Sequence, residues 1–382
     1  MSSMQYQLIQ DQQSLNKLCQ QLSCASILAI DTEFVRTRTL YAKLGLLQVF
    51  DGKNLALIDP LVIEDLTPFW QLLTNGGITK VLHACSEDLE VFLTAGQCQP
   101  VNLIDSQIMM SFLGHGLSLG YAGMVKHFTD IELDKSESRT DWIKRPLTVK
   151  QLDYASADVD YLFGIYPRLL AEIEAVGFLD FAKQETQNMI NKKFTPVNEN
   201  QLYRNIKMSW RLNSKQLNSL KYLARWRFQQ AKLRDMPIGF IAKDHTLIAL
   251  AQGNPDNLKS MSNLEGAEAL DIRHKGKAML AVLDLANKVG EGEYPAKIMR
   301  IDEYPSYKQS FKKLKAFFID VSRQYNLPLE NLASKKQINQ FLTWHFDLNQ
   351  ARSQELKVEL LSGWRNELFG QQLQNVANNN FE

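Results

Sequence analysis

Short apolar runs alternate with polar turns through the first third of the chain. The pattern predicts three consecutive strands, which cover residues 27–34, 44–50 and 55–60. Asp51-Gly52, between the last two, is typical of a hairpin turn. Strands and helices then alternate: strands are predicted near residues 81–82 and 101–104, and helices near 87–95 and 148–170. This order predicts an α/β domain, in which helices cover the faces of a mixed sheet.

Strand signals disappear after a polar connector, and apolar residues then recur at spacings of three and four, which predicts helices. We expect Ser214 and Asp244 to cap two of them. Residues 236–242 are similar to residues 327–333, where Ser334 can take over the cap, so two related helical modules follow the connector. The predicted parts are an α/β domain at 1–190, a linker at 191–212, a helical domain at 213–294 and a divergent helical domain at 300–378.

Charge is distributed unevenly along the chain, although its formal net charge is only +1. Residues 1–190 carry a balance of −9, residues 191–294 of +7 and residues 295–382 of +3. An acidic first half and a basic second half favour a cation-binding domain joined to segments that hold a polyanion. Chance patterning of solvated surfaces would give the same balance.

Other features of the sequence concern its cellular compartment. No run of about 18 apolar residues is present, so we expect no contact with a membrane. The amino terminus lacks the basic and apolar regions of a signal peptide. The four cysteines show no paired metal-ligand spacing. We therefore expect reduced thiols in a cytoplasmic protein, and we expect it to be a monomer.

Asp31 and Glu33 end the first predicted strand. Side chains alternate across a strand, so both carboxylates project from the same face. Two like charges held so close are unfavourable unless a cation or a proton lies between them. Carboxylate oxygen is the ligand that Mg²⁺ and Mn²⁺ prefer, so the pair indicates a site for a hard divalent ion.

Two later segments could complete such a site. Asp88 begins a helix after a strand, at the sheet edge where α/β active sites gather. Helix electrostatics alone also favour an acidic residue there, and Glu87 is an alternative to Asp88. Tyr154 and Asp158 stand four residues apart on a helix and share a face, as they would in an ordinary amphipathic helix.

These motifs, taken together and in this order, resemble the ribonuclease D family, in the tyrosine branch of the DEDD exonuclease superfamily. The match consists of Asp31-Thr-Glu33, then Asp88, then Tyr154 with Asp158, and it extends over residues 31–36, 57–61 and 141–147. The resemblance favours Asp88 over Glu87. It also implies a ribonuclease H-like exonuclease domain.

The helical modules resemble HRDC domains. The first copy matches through Trp226-Arg227 and through Asp235-Met-Pro237, whereas the second copy is more divergent. Tandem HRDC domains are typical of bacterial members of the ribonuclease D family. The resemblance therefore covers nearly the whole chain and implies two all-α HRDC domains after the exonuclease domain.

The resemblance implies a 3′→5′ exoribonuclease that releases nucleoside 5′-monophosphates, with two divalent ions, Mg²⁺ or Mn²⁺, in each active site. Asp31 would bridge the ions, Glu33 and Asp158 would complete one of them, and Asp88 would hold the other through water. Tyr154 would orient the attacking water. The expected partners are RNA 3′ ends, in tRNA precursors and other structured RNAs.

Residues around the motifs have expected roles of their own. Asp105 precedes a helix that it can cap, and His83 ends a strand, where a hydrogen-bonded histidine is expected rather than a ligand. Trp142 could stack on a base and Arg145 could contact a phosphate, although packing of Trp142 fits equally well.

A row of basic residues on the first predicted HRDC helix could also contact RNA. Lys221, Arg225 and Lys232 lie within about 40° of one another on a helical projection, which suits a phosphate backbone. A solvated helix face would show the same row.

Two other functions remain as alternatives. One is an RNA-binding protein whose exonuclease fold is catalytically silent, and the complete set of four acidic residues and Tyr154 argues against it. The other is a DNA-directed 3′→5′ exonuclease, and the paired HRDC modules argue against it.

Overall fold

The computed structural model describes residues 5–134, 136–352, 356–379 and 381. Its strands in this part of the chain are β1 (Gln7–Ile9), β2 (Ile27–Val35), β3 (Lys43–Phe50), β4 (Leu55–Ile58), β5 (Thr79–Leu82) and β6 (Leu103–Asp105). They form a six-stranded sheet in the order β1-β4-β3-β2-β5-β6. β3 runs antiparallel to β2 and β4, and the other neighbours are parallel. The predicted mixed sheet is confirmed.

Helices cover both faces of this sheet. They are α1 (Gln12–Leu22), α2 (Thr67–Thr74), α3 (Asp88–Thr94), α4 (Ser106–Phe112), α5 (Tyr121–Thr129), α6 (Val149–Ala175) and α7 (Leu179–Phe194). The long helix α6 packs on one face through Val159 and Leu162, which share a core with Ala29 of β2. Leu28 and Ile30 point to the other face, where α1, α2 and α3 lie. The strand with the first acidic motif is thus buried on both sides.

A capping box fixes the residue at which α6 begins. Thr148 and Gln151 form a capping box, in which each side chain accepts a hydrogen bond from the other residue's backbone N–H. The cap satisfies backbone donors that the first turn leaves without partners.

The first helical domain contains α8 (Ser214–Arg234), α9 (Ile238–Ile241), α10 (Asp244–Gly253), α11 (Leu258–Ser262) and α12 (Ala269–Asn287). Its core includes Tyr203, Ile206 and Leu212, so the later part of the predicted linker packs into this domain. The cap of α8 is Asn213, not Ser214, and Gln216 completes its capping box. Asp244 is the first residue of α10 and does not cap it.

The second helical domain contains α13 (Tyr307–Tyr325), α14 (Leu329–Leu332), α15 (Lys335–His345), α16 (Gly363–Arg365) and α17 (Gln371–Asn378). Ser334 caps α15 as predicted and forms a capping box with Gln337. Trp364 packs on Phe112 and Phe181 of the α/β domain, with ring centroids 5.3 and 5.2 Å apart. The second helical domain therefore shares a hydrophobic core with the α/β domain.

The first helical domain contacts the α/β domain by a different route. Oδ1 of Asp235, at the end of α8, accepts hydrogen bonds from the backbone N–H groups of Leu40 and Tyr41, both at 3.0 Å. These two residues belong to the loop between β2 and β3. Among the helices described, none is both long and apolar enough to cross a membrane.

Candidate active site

Three of the predicted carboxylates meet where α6 crosses β2. Asp31 lies opposite Gln48 of β3, and Glu33 lies opposite Leu46, so both project from one face of the strand. Oxygen atoms of Asp31, Glu33 and Asp158 all lie within 4.8 Å of one another. Strand alternation supplies two of these groups, and the packing of α6 on β2 brings the third.

The negative charges of this cluster repel one another. Burial raises the pKa of Asp31 well above its usual value, and the negative charges of Asp88, Asp158 and Glu33 raise it further. Burial also raises the pKa of Glu33 to about 9 and that of Asp158 to about 8. Such a cluster needs protons or a cation. Its donors are carboxylate oxygens only, which fit a hard divalent metal ion.

Asp88 lies beside this cluster and is held separately. It is the first residue of α3 and is buried, and its carboxylate accepts a hydrogen bond from the hydroxyl of Thr32. Burial raises its pKa to about 6. Its negative charge adds to the raised pKa of Asp31 and of Glu33.

Glu87, the alternative to Asp88, has a different environment. Its side chain is 64% exposed and forms an ion pair with Arg36 at 3.0 Å. Between the two neighbours, Asp88 is therefore the buried acidic group beside the cluster.

Tyr154 lies one turn before Asp158 on α6, with its ring centroid 6.1 Å from that of Trp142. Burial raises the pKa of its phenol, and the nearby charges of Asp158, Glu33 and Asp31 raise it further. The hydroxyl therefore stays protonated at neutral pH and can donate a hydrogen bond.

A cavity of about 280 Å³ joins these groups. All five predicted residues line it, namely Asp31, Glu33, Asp88, Tyr154 and Asp158. Tyr121, which no sequence pattern predicted, lines it too. Its hydroxyl lies 2.6 Å from the backbone oxygen of Asp158 and 3.0 Å from that of Ala157, so it ties α5 to the turn that carries Asp158.

His83 also lines the cavity, but both of its ring nitrogens have partners within the fold. Nδ1 lies 2.9 Å from Oγ of Ser106, and Nε2 lies 3.0 Å from the backbone oxygen of Leu119. Burial lowers its pKa, which favours the neutral ring. His83 is thus the hydrogen-bonded histidine expected at a strand end.

Asp105 caps α4 as predicted. Its carboxylate accepts from the N–H groups of Gln107 and Ile108, and also from those of Ala84 and Cys85. These contacts join the end of β6 to the turn before α3. They thereby help to fix the helix that begins with Asp88.

Trp142 and Arg145 do not face the cavity as RNA contacts. Trp142 is only 1% exposed, so its ring has no free face on which a base could stack. Arg145 directs hydrogen bonds to the carboxylate of Asp59 and to three backbone oxygens. The structure therefore favours packing for Trp142, the alternative that the sequence left open, and it gives partners within the fold to the donors of Arg145 that were expected to contact a phosphate.

The basic row of α8 is partly neutralised by an acidic residue of the predicted linker. Glu199 lies 3.8 Å from Arg225 and 3.6 Å from Lys232. Both basic side chains are about half exposed, and Lys221 is partly exposed on the same helix. The row remains accessible to a polyanion, which would compete with Glu199.

Comparisons with known proteins match each of the three domains. The 3′-5′ exonuclease domain family matches residues 6–174, the HRDC domain family residues 216–283, and the ribonuclease D C-terminal HRDC domain family residues 305–373. Ribonuclease D of Escherichia coli is 42% identical over 98% of both chains, and that of Haemophilus influenzae is 36% identical over 94% of this chain and 90% of its own.

A solved structure agrees with these relatives. The crystal structure of Escherichia coli RNase D, described as an exoribonuclease involved in structured RNA processing, superposes with a TM-score of 0.94. The match covers 98% of this chain and 99% of that one, at 41% identity. The chain therefore belongs to the ribonuclease D family of 3′-5′ exoribonucleases.

Proposed function

We propose that this protein removes nucleotides one at a time from the 3′ ends of tRNA precursors and other structured RNAs, by two-metal-ion hydrolysis. The observation that carries the proposal is the convergence of three carboxylates within 4.8 Å, beside the protonated hydroxyl of Tyr154. The substrate class follows from the Escherichia coli relative, described as acting in structured RNA processing.

Different sets of acidic residues would hold the two metal ions. Asp31 would contact two ions, Glu33 and Asp158 would complete the first, and Asp88 would hold the second through water. Asp88 suits the indirect role because it stands beside the cluster and is already bound to Thr32. When bound, Mg²⁺ or Mn²⁺ would make a water molecule nucleophilic and stabilise the departing 3′ oxygen.

Tyr154 would orient the attacking water with its hydroxyl. The raised pKa of the phenol keeps the proton in place, so the group acts by hydrogen bonding and not as a base. Attack on phosphorus breaks the bond to the 3′ oxygen of the preceding nucleotide. The product is then a nucleoside 5′-monophosphate.

The remaining parts of the chain would hold the RNA. Lys221, Arg225 and Lys232 would contact phosphates without reading sequence. We propose that the catalytic domain ends with α7 and that residues from about 199 onward belong with the first HRDC domain, because Tyr203 and Ile206 lie in its core. We also propose that the protein acts as a monomer, which light scattering would detect as a mass near 43.7 kDa.

One experiment separates this proposal from its alternatives. A 3′-extended tRNA and a matched single-stranded DNA are incubated with Mg²⁺ or Mn²⁺ and with wild type, Asp31→Ala or Asp153→Asn. Asp153 is an exposed acidic residue of α6 and serves as the matched control. We expect mononucleotides from RNA alone, with wild type and Asp153→Asn but not with Asp31→Ala.

The other outcomes are equally informative. Activity of Asp31→Ala equal to wild type would refute the metal assignment. Equal degradation of DNA would favour the DNA-directed exonuclease, and binding of RNA without product would favour the silent RNA-binding protein. A Tyr154→Phe variant that keeps the full rate would remove the tyrosine from the mechanism.

A further inference from the structure

The segment that precedes α6 is held against the sheet by one arginine. Arg145 uses its Nε and Nη2 to bind the two carboxylate oxygens of Asp59, at 2.8 and 2.7 Å. Its other N–H groups reach the backbone oxygens of Gly45 (2.6 Å), Trp142 (2.8 Å) and Lys144 (3.1 Å). A guanidinium has five N–H donors, and all five have partners here.

Asp59 is a buried anchor for this arginine. Its side chain is 2% exposed, and that of Arg145 is 22% exposed. Burial alone would raise the pKa of Asp59, but hydrogen bonds from Arg145 and from the Leu61 N–H outweigh it and hold the pKa below its usual value. The pair is therefore ionised at neutral pH, and removing one partner would leave a buried charge uncompensated.

Gly45 allows the segment to approach β3 closely. The pairing of β2 with β3 passes from Glu33–Leu46 to Phe34–Leu44, so Gly45 is the extra residue of a β-bulge. A Cβ at this position would lie 2.6 Å from the backbone oxygen of Trp142, closer than such atoms can come. The bulge lies directly beside Glu33, at the active-site end of the strand.

This close approach brings Trp142 against Tyr154. Trp142 is buried, and its ring lies 6.1 Å from the ring of Tyr154 at an interplanar angle of 39°. Tyr154 lines the active-site cavity, whereas Trp142 does not. The tryptophan thus lies beside the tyrosine ring without lining the cavity itself.

We propose that Asp59, Arg145 and Gly45 form a clamp that seats Trp142 behind Tyr154, so that Arg145 and Trp142 are positioning residues for hydrolysis. The inference rests on the proposed function of Tyr154. Lysine cannot replace Arg145 in this clamp, because its single ammonium cannot bind a carboxylate with two parallel bonds and also reach three backbone oxygens. The hydrogen bonds of Arg145 in this clamp reach none of the four acidic residues that are proposed to hold metal.

A double-mutant cycle tests the clamp. kcat and KM for a 3′-extended tRNA are measured for wild type, Arg145→Lys, Tyr154→Phe and the double variant, at saturating Mg²⁺. We expect Arg145→Lys to lower kcat by about ten- to a hundredfold, the order of loss when a catalytic group is slightly displaced. We expect KM to stay within about twofold, and the Mg²⁺ concentration for half-maximal activity to be unchanged.

The decisive result comes from the double variant. If Arg145 acts through Tyr154, adding Arg145→Lys to Tyr154→Phe should cost less than about twofold in kcat. An equal loss in both backgrounds, or a change confined to KM, would overturn the proposal. Full activity of Tyr154→Phe would instead defeat the proposed function of the tyrosine, so the two failures are distinguishable.

A second variant keeps the test decisive if Arg145→Lys does not fold. Trp142→Phe keeps an aromatic ring in the core but replaces the indole beside Tyr154 with a smaller ring, and it enters the same cycle. The control is Arg168→Lys, because Arg168 pairs with Glu172 at 3.0 Å on the exposed face of α6. If Trp142→Phe behaves like this control, the clamp does not position the tyrosine.

Discussion

Thr32 donates a hydrogen bond from its hydroxyl to Asp88, and so connects the strand that carries Asp31 and Glu33 to the acidic residue that stands outside their cluster. Thr32 lies between Asp31 and Glu33 in sequence, but its side chain points to the opposite face of β2, where α3 packs. One strand therefore supplies two carboxylates on one side and holds a third from the other.

Removing the hydroxyl of Thr32 should weaken the binding of the divalent ion that Asp88 is proposed to hold. In Thr32→Val the carboxylate of Asp88 keeps its burial but loses a hydrogen bond that lowers its pKa, so its pKa should rise further. A hydrogen bond to a charged group contributes about 1.5–3 kcal/mol, so we expect at least a tenfold loss of activity at limiting Mg²⁺. The measurement is RNA hydrolysis as a function of Mg²⁺ concentration. Thr32→Ser should restore activity, and wild-type behaviour of Thr32→Val would show that the bond is dispensable.

Metal binding should release protons at neutral pH. Burial, together with the charges of Asp158 and Asp88, raises the pKa of Glu33 to about 9, and burial raises the pKa of Asp158 to about 8, so both should be largely protonated at pH 7 without metal. A divalent ion must displace these protons, and its affinity should therefore rise between pH 7 and pH 9.

Calorimetric titration of Mg²⁺ into RNA-free protein, in buffers of different ionisation enthalpy, measures this release. We expect about one proton or more at pH 7 and fewer at pH 9. Asp158→Asn should release fewer protons, whereas Asp153→Asn, on the exposed face of the same helix, should match wild type. Heats that are independent of the buffer would contradict the raised pKa values.

The sequence predicted those parts of the site that depend on local periodicity. Alternation along β2 puts Asp31 and Glu33 on one face of that strand, and the helical repeat puts Tyr154 and Asp158 on one face of α6. Tyr121 escaped prediction because its role depends on a contact between α5 and the backbone of α6, which has no sequence pattern. The short strand β1 escaped because three residues carry too little periodicity.

The same limit explains the errors. An arginine near a catalytic motif suits a phosphate and a buried carboxylate equally well, and the partner of Arg145, Asp59, lies 86 residues away. Asn213 and Ser214 are both good helix caps, and only the backbone decided between them. Where two residues of suitable chemistry compete, tertiary contacts decide the outcome.

The contact of Asp235 with the loop of Leu40 and Tyr41 should order that loop. Asp235 has positive φ, so Asp235→Gly removes the carboxylate without backbone strain, and Asp235→Asn keeps an acceptor. We expect the loop amides to exchange with deuterium at least about tenfold faster in the glycine variant, because both lose a hydrogen bond to a charged group. Exchange mass spectrometry measures this. Asparagine should preserve most of the protection, and unchanged exchange in both variants would mean that the contact does not hold the loop.

The ion pair of Arg365 with Glu185 should fasten the second HRDC domain to the exonuclease domain. Oε2 of Glu185 accepts from Nη1 of Arg365 at 2.7 Å and from the indole of Trp364 at 2.9 Å. Burial raises the pKa of Glu185, but Arg365 and Trp364 outweigh it and hold the pKa below its usual value. A lowered pKa stabilises the fold above the pKa of the unfolded state, and this contribution disappears as the pH falls through the folded pKa.

Glu185→Gln should therefore lower the free energy of unfolding at pH 7 by about 2–3 kcal/mol, because Arg365 is 7% exposed and would lose its counter-charge. The difference from wild type should shrink as the pH falls below the ordinary glutamate pKa of about 4.3, which applies to the unfolded chain, and then through the lower pKa of Glu185 in the folded state. Urea unfolding at pH 7 and at an acidic pH, where the carboxylate of Glu185 is protonated, measures both effects. Asp180→Asn is the matched control, since Asp180 lies on the same helix with 86% of its side chain exposed. If Glu185→Gln lowers the free energy of unfolding equally at both pH values, packing and not charge would account for the effect of Glu185.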